Sequence, residues 1–125
     1  MILGLGADIV EIKRIENRIE NEIFISHVFT DAEYKYCKSK AHSAEHFAAR
    51  FAAKEAFFKA LGTGVVGNLD FIQVEVTHDK NGAPNITLHD HALDMAKKLG
   101  VKTIHLSISH ERNYATATVI IEKDK

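Results

Sequence analysis

One cysteine, Cys37, is all the thiol in 125 residues, which excludes an internal disulfide framework and suits a reducing compartment. It reads as a half-buried, inert thiol. The chain also has no apolar run near the roughly 18 residues that a membrane span needs. Its N-terminal MILGLGADIVEIK carries no basic region ahead of the apolar part, so a cytoplasmic protein, mature as written, is expected. A formal net charge of −1 falls short of the basic excess that a sequence-independent nucleic-acid binder needs. Eight histidines are many for this length, but none of their spacings supplies cysteine or carboxylate partners in a zinc pattern, and His89-x-His91 reads as a loop or helix start. No fixed-period repeat, low-complexity segment or linker interrupts the chain. What remains is an ordinary globular composition, 46% hydrophobic and 26% charged, over a length that fills one core and not two. A single domain over residues 1–125 is the expectation.

Residues 45–64, EHFAARFAAKEAFFKALGTG, organise the rest. At about 100° per residue, Phe47, Phe51 and Phe58 form one bulky stripe, with Ala49, Ala53, Ala56 and Ala60 roughly opposite. A helix that is large on one side and small on the other is packed on both. Polar residues are left two seams, Glu55 with Lys59 on one and Arg50 with Lys54 on the other, each pair four apart. A carboxylate beside a phenylalanine stripe needs a partner, and Lys59 or a metal ion would serve. Gly62 suits the left-handed C-terminal cap, and residues 62–67 suit a backbone-rich loop.

Along the chain, residues 1–9 read as a strand in which Gly4 and Gly6 mark the close approach of another backbone, with Asp8 at its end. Ile12, Ile15, Ile19 and Ile23 then recur at helical spacing. Asp8 and Glu11 have the form of an N-cap with its capping-box acid, a reading that stands beside a catalytic one for Asp8. Lys13, Arg14 and Arg18 point outward on a face diluted by Glu16, Glu20 and Glu22. Residues 24–29 read as a connection, and Thr30 with Glu33 as a capping box opening a helix to about Ser39. Lys38, Lys40, His42 and His46 make a cationic entrance to the central helix. A strand over residues 71–77, a turn at 79–84 and a strand over 85–88 form one hairpin. A helix over residues 90–99, with Ala92, Leu93, Ala96 and Leu99 inward, ends on Gly100. Strands around Ile104–Ile108 and over residues 114–122, joined at 110–113, form a second hairpin. This order predicts an α+β fold, a mostly antiparallel sheet packed on a long central helix.

Asp8 and Glu55 offer hard oxygen ligands of the kind magnesium takes, one or two carboxylates with substrate phosphate oxygens completing the shell. Lys59 could neutralise a phosphate and the loop after Gly62 could donate backbone N–H groups to it, which together suit phosphoryl-group transfer. The plainer alternatives are a structural Glu55–Lys59 ion pair and a His110 that merely makes a turn.

GLGADIVEIKRIE, FAARFAAKEAFFKALGTG and HLSISHERNYATATVIIE, in this order and spacing, resemble the 4′-phosphopantetheinyl transferase superfamily, in its small trimeric holo-(acyl-carrier-protein) synthase branch. The resemblance covers nearly the whole chain and implies that superfamily's fold. It implies transfer of 4′-phosphopantetheine from coenzyme A to a serine of apo acyl carrier protein, with release of adenosine 3′,5′-bisphosphate, in support of fatty acid biosynthesis. On this match Asp8 and Glu55 hold Mg2+ and Lys59 contacts the coenzyme A phosphates, near the Gly62 loop. Arg50 and His46 are placed at the nucleotide's 3′-phosphate. Arg14 and Arg18 meet the acidic helix of the carrier protein. Glu55, a water on the ion, or His110 of SISHER removes the serine proton, with the water or Glu55 favoured. A homotrimer with active sites between subunits is implied, without nucleic-acid or membrane partners. A binding module without turnover and a trimeric scaffold are the competing readings, and neither needs Asp8, Glu55 and Lys59 together.

Overall fold

The computed structural model describes residues 1–62, 64 and 67–124. Three long antiparallel strands form one sheet in the order β1 (Ile2–Glu11), β5 (Tyr114–Lys123), β4 (Val101–His110). A separate two-stranded sheet pairs β2 (Val74–His78) with β3 (Pro84–Leu88). Helices α1 (Ile12–Arg18), α2 (Glu22–Val28) and α3 (Asp31–Lys38) follow β1, α4 (Ser43–Leu61) crosses the inner face of the large sheet, and α5 (Asp90–Leu99) links β3 to β4. The expected α+β class and antiparallel pairing are what the chain adopts, with the sheet in two pieces rather than one.

The packing of α4 on β1 is set by small residues. A Cβ on Gly4 would lie 2.0 Å from the carbonyl oxygen of Ala60, and one on Gly6 would lie 2.0 Å from that of Ala56. No L-residue side chain fits either place, so the glycines let strand and helix backbones touch. The alanine face of α4 is thus spent against its own strand, which removes the need for a neighbouring subunit to explain it. The phenylalanine face meets the other helices and the short 3-10 turn Phe71–Gln73: Phe47 packs on Phe29 at 5.0 Å between ring centroids, Phe51 on Phe24 at 6.0 Å, and Phe58 on Phe71 at 5.8 Å. Each fully buried ring contributes roughly 2–3 kcal/mol of transfer free energy. Between Phe47 and Ala60, every α4 side chain is buried except Glu55 and Lys59.

Four expectations need correction. Asp8 is not at the end of its strand: β1 runs on to Glu11, Asp8 sits opposite Ala117 of β5, and the N-cap of α1 is Glu11 with no side-chain cap bond, so no Asp8–Glu11 capping box forms. The isoleucine-spaced helix stops at Arg18. Asn21, whose Oδ1 accepts from the N–H groups of Ile23 and Phe24, starts α2 across the segment read as a connection. The strand read over residues 71–77 opens with the 3-10 turn, and β2 proper begins at Val74. On α5, Ala92 and Ala96 are buried, but Leu93 and Leu99 are exposed. The Thr30–Glu33 capping box and the left-handed caps at Gly62 (φ 81°) and Gly100 (φ 78°) form as expected.

Candidate active site

Asp8 comes from the middle of β1, where its neighbours Gly6 and Val10 also face α4, and its side chain is only 9% exposed. Lys59 reaches across from the last turn of α4, and its Nζ donates to Asp8 Oδ1 at 2.9 Å and to the carbonyl of Ala7 at 3.2 Å. The expected i, i+4 pair therefore does not form; the lysine answers a carboxylate far away in sequence, and this bond raises its pKa above the ordinary lysine value. Among the described residues, Asp8 Oδ2 is buried with no hydrogen-bond partner. Glu55, half-buried one turn before Lys59, has its pKa raised first by burial and then by the Asp8 charge, with Lys59, Arg14 and Arg18 pulling the other way. A glutamate whose charge is disfavoured, beside an aspartate with an orphaned buried oxygen, fits a divalent cation taking hard oxygen ligands. Among the described residues no group of three or more histidine, cysteine or acidic side chains forms a protein-only cage.

Arg14 and Arg18 are exposed on α1, close enough for their charges to act on Glu55. Arg18 also lies over the Phe24 ring at 5.7 Å. Gly62 caps α4 just beyond Lys59; of the loop expected to donate backbone N–H groups, Thr63, Val65 and Val66 lie outside the described residues.

The remaining site candidates gather elsewhere. Arg50 is five residues before Glu55, about 140° around the helix. Its guanidinium lies over Tyr36 of α3 at 4.3 Å, Nη2 is 3.1 Å from Nε2 of His78 at the end of β2, and Nη1 donates to the carbonyl of His46 at 3.2 Å. His46 packs edge-on against His110 at 5.1 Å, and its pKa is lowered by burial, then by the charges of His110, Arg50 and Lys40. His110 Nδ1 pairs with Glu45 Oε1 at 3.0 Å. Glu45 lies ten residues before Glu55, about 15 Å along the axis, so one chain does not bring His110 to its own Asp8 and Glu55. The structure thus makes two clusters from one predicted site, a carboxylate–lysine cleft on the β1 side of α4 and a cationic nest on the α3–β2 side.

Sequence reasoning missed Tyr36 and His78, which no local pattern ties to Arg50. It also missed the partner of Lys54, whose buried Nζ meets Glu33 Oε1 at 2.8 Å and the carbonyls of Val74 and Phe71 at 2.6 and 3.1 Å. The seam position of Lys54 and the capping-box role of Glu33 were each legible; their meeting was not.

Residues 4–119 match the model of the 4′-phosphopantetheinyl transferase superfamily, and the chain belongs to that superfamily. Within it, holo-(acyl-carrier-protein) synthases align end to end: that of Koribacter versatilis is 47% identical over 98% of this chain and 99% of its own. That of Geotalea daltonii is 44% identical over 98% of this chain and 100% of its own. The crystal structure of the Neisseria meningitidis synthase superposes with a TM-score of 0.89 at 34% identity over 98% of this chain and 100% of that one. A Bacillus anthracis synthase described in complex with CoA (3′,5′-ADP) gives a TM-score of 0.82 at 35% identity over 99% of both chains. The expected fold and the expected enzyme class, a holo-(acyl-carrier-protein) synthase, are borne out by these full-length matches.

Proposed function

We propose that this chain moves the 4′-phosphopantetheine group of coenzyme A onto a serine of apo acyl carrier protein, with Mg2+, and so supports fatty acid biosynthesis in the cytoplasm. The observation that carries the reading is that part-buried Asp8, its Oδ2 unpartnered among the described residues, binds the exposed ammonium of Lys59 and sits close enough for its charge to act on half-buried Glu55. Asp8 and Glu55 would hold the ion, which when bound supplies Lewis-acid stabilisation of the diphosphate. Lys59 is held by Asp8 and the Ala7 carbonyl but is 53% exposed, so its third N–H donor is free to turn to a phosphate oxygen. The serine oxygen forms a bond to the phosphorus bearing pantetheine, the bond from that phosphorus to adenosine 3′,5′-bisphosphate breaks, and the serine proton passes to Glu55. His110, held by Glu45 at the far end of α4, would reach this cleft only from a neighbouring subunit.

The nucleotide is assigned to the Arg50–His46 nest. Because the nest and the carboxylate cleft face different sides of α4, a site using both is completed by a second subunit, which supports a homotrimer with active sites between neighbours. The outer face of the large sheet gives such an assembly its contact: Ile2, Leu5 and Ile9 stand 64%, 63% and 64% exposed there. The carrier protein's acidic helix is assigned to Arg14 and Arg18, exposed beside the cleft. No described helix is long and apolar enough to cross a membrane, and the lone Cys37 is a buried free thiol.

The test is mass spectrometry of apo acyl carrier protein after incubation with coenzyme A, Mg2+ and this protein. A gain of one phosphopantetheine group, lost on chelation and with Glu55→Gln, is the expected result. Tight binding of both substrates without a mass change would make the chain a binding module instead.

A further inference from the structure

A buried guanidinium ordinarily has a carboxylate beside it, because the cost of removing the charge from water is otherwise unmet. Arg50 is 3% exposed, and among the described residues no carboxylate is within ion-pair distance of it. The acids that come nearest by chain or nest are engaged elsewhere: Asp79 Oδ1 accepts from the N–H groups of Asn81 and Ala83, Glu45 is paired with His110, and Glu33 with Lys54. Arg50 Nε is buried with no partner. In place of a counter-ion the guanidinium has aromatic neighbours and further positive charge. The His78 ring stacks on Tyr36 at 4.6 Å and 25°, the same Tyr36 ring carries the Arg50 guanidinium at 4.3 Å, and Lys40 Nζ sits over it at 4.7 Å. His46 meets the edge of Tyr36 at 6.0 Å.

The bond from Arg50 to His78 fixes what His78 must be. A guanidinium only donates, so His78 Nε2 accepts, and the imidazole is neutral with its proton on Nδ1. Partial burial, then the charges of Arg50 and Lys40, lower the pKa of His78 in agreement with that state. One N–H of each Nη is used, on His46 O and on His78 Nε2, which leaves one further donor on each nitrogen. Two spare donors on a planar group held by ring and hydrogen bond are what a bidentate phosphate fork needs.

We propose that His78 and Tyr36 are positioning residues that hold Arg50 as a preformed receptor for the phosphate monoester of the nucleotide substrate. This rests on the assignment of the nucleotide to the Arg50 nest. Tyr36 fixes the plane of the guanidinium, His78 fixes its rotation in that plane, and neither touches the reacting phosphorus.

The experiment measures KM and kcat with coenzyme A and with 3′-dephospho-coenzyme A, which lacks the monoester, for the unaltered enzyme, Arg50→Gln, His78→Phe and His78→Gln, with thermal midpoints alongside. His78→Phe keeps a ring on Tyr36 and loses the acceptor; His78→Gln keeps an acceptor. Expected for His78→Phe is a KM for coenzyme A raised about tenfold, the scale of one hydrogen bond to a charged group, with kcat and the KM for the dephosphorylated substrate little changed. His78→Gln should bring KM back to within about twofold, since an amide oxygen restores the acceptor. If His78→Phe leaves KM for coenzyme A unchanged while Arg50→Gln raises it, His78 does not position Arg50 and the proposal falls, with the nucleotide assignment intact. If Arg50→Gln changes neither substrate's KM, the assignment itself fails and the proposal with it. A uniform loss with both substrates, accompanied by a lower midpoint, would assign His78 a packing role and overturn the proposal.

Discussion

Glu55 is a residue whose environment opposes its own charge. Burial and the neighbouring Asp8 raise its pKa above the ordinary glutamate value, so in the metal-free protein its ionised form is disfavoured. A carboxyl group whose folded-state pKa is raised contributes stability below its unfolded pKa, and that contribution is lost as pH rises through the folded pKa. At neutral pH the metal-free protein therefore carries a repulsion that a divalent ion or a neutral side chain relieves. Glu55→Gln is expected to raise the thermal midpoint of metal-free protein at pH 7, while abolishing the further rise that added Mg2+ produces. A midpoint that falls in the absence of metal, measured by calorimetry in chelator, would mean that Glu55 is held by attraction instead. For the unaltered protein, Mg2+ binding should weaken with acidification from a higher pH than an isolated glutamate would dictate, because the proton competes for Glu55 sooner. Asp8 and Glu55 were legible as a pair from residue type and motif. The bond from Lys59 to Asp8 was not, since an i, i+4 spacing on one helix is visible in a sequence and a contact across 51 residues is not.

At the scale of elements, α4 carries both the core and the site, and its one buried ammonium decides how far neighbouring elements depend on it. Lys54 ties α4 to Glu33 of α3 and to the carbonyls of Phe71 and Val74, while Glu33 Oε2 accepts from the N–H of Val76 and Oε1 from that of Thr30. Removing the lysine would leave a carboxylate buried without its cation. Lys54→Met is expected to cost about 3–5 kcal/mol of folding stability, as for broken buried pairs in general, whereas the double change with Glu33→Gln should cost less than the two single changes added together. Denaturant midpoints of the four proteins check this, and simple additivity would show that the two groups are not coupled. The central helix was legible because its phenylalanines and alanines repeat at the helical period and Gly62 ends it. The break between α1 and α2 was not, because Ile19 and Ile23 keep the same period across it. Only the Asn21 side chain, capping two N–H groups, restarts the helix.

For the whole molecule, the large sheet has one face on α4 and the other bare. Ile2, Leu5 and Ile9 on β1, with Tyr114 at 47% exposure on β5, are the large exposed apolar side chains of that face, where Glu122 stands opposite Ile2 and Glu11 opposite Tyr114. If this face joins subunits, Leu5→Glu with Ile9→Glu should give a folded monomer with its far-ultraviolet dichroism preserved and its transferase activity lost, and sedimentation should show the change of mass. A double variant whose mass in solution is unchanged, or a monomer that keeps full activity, would rule out shared sites across this face. The alternation along β1 and β5 made the strands legible, but an alternating strand gives no sign of which second face meets a partner, because its apolar side chains look the same against a helix or against another chain.

Gly4 and Gly6 let β1 rest directly on the carbonyls of Ala60 and Ala56, and Asp8 and Glu55 each lie within two residues of that seam. The span between the two carboxylates is therefore gauged by main chain on main chain, with no compressible side chain in between. The pair should therefore keep its setting until strand and helix part, so that the carboxylate cleft shares the fate of the core.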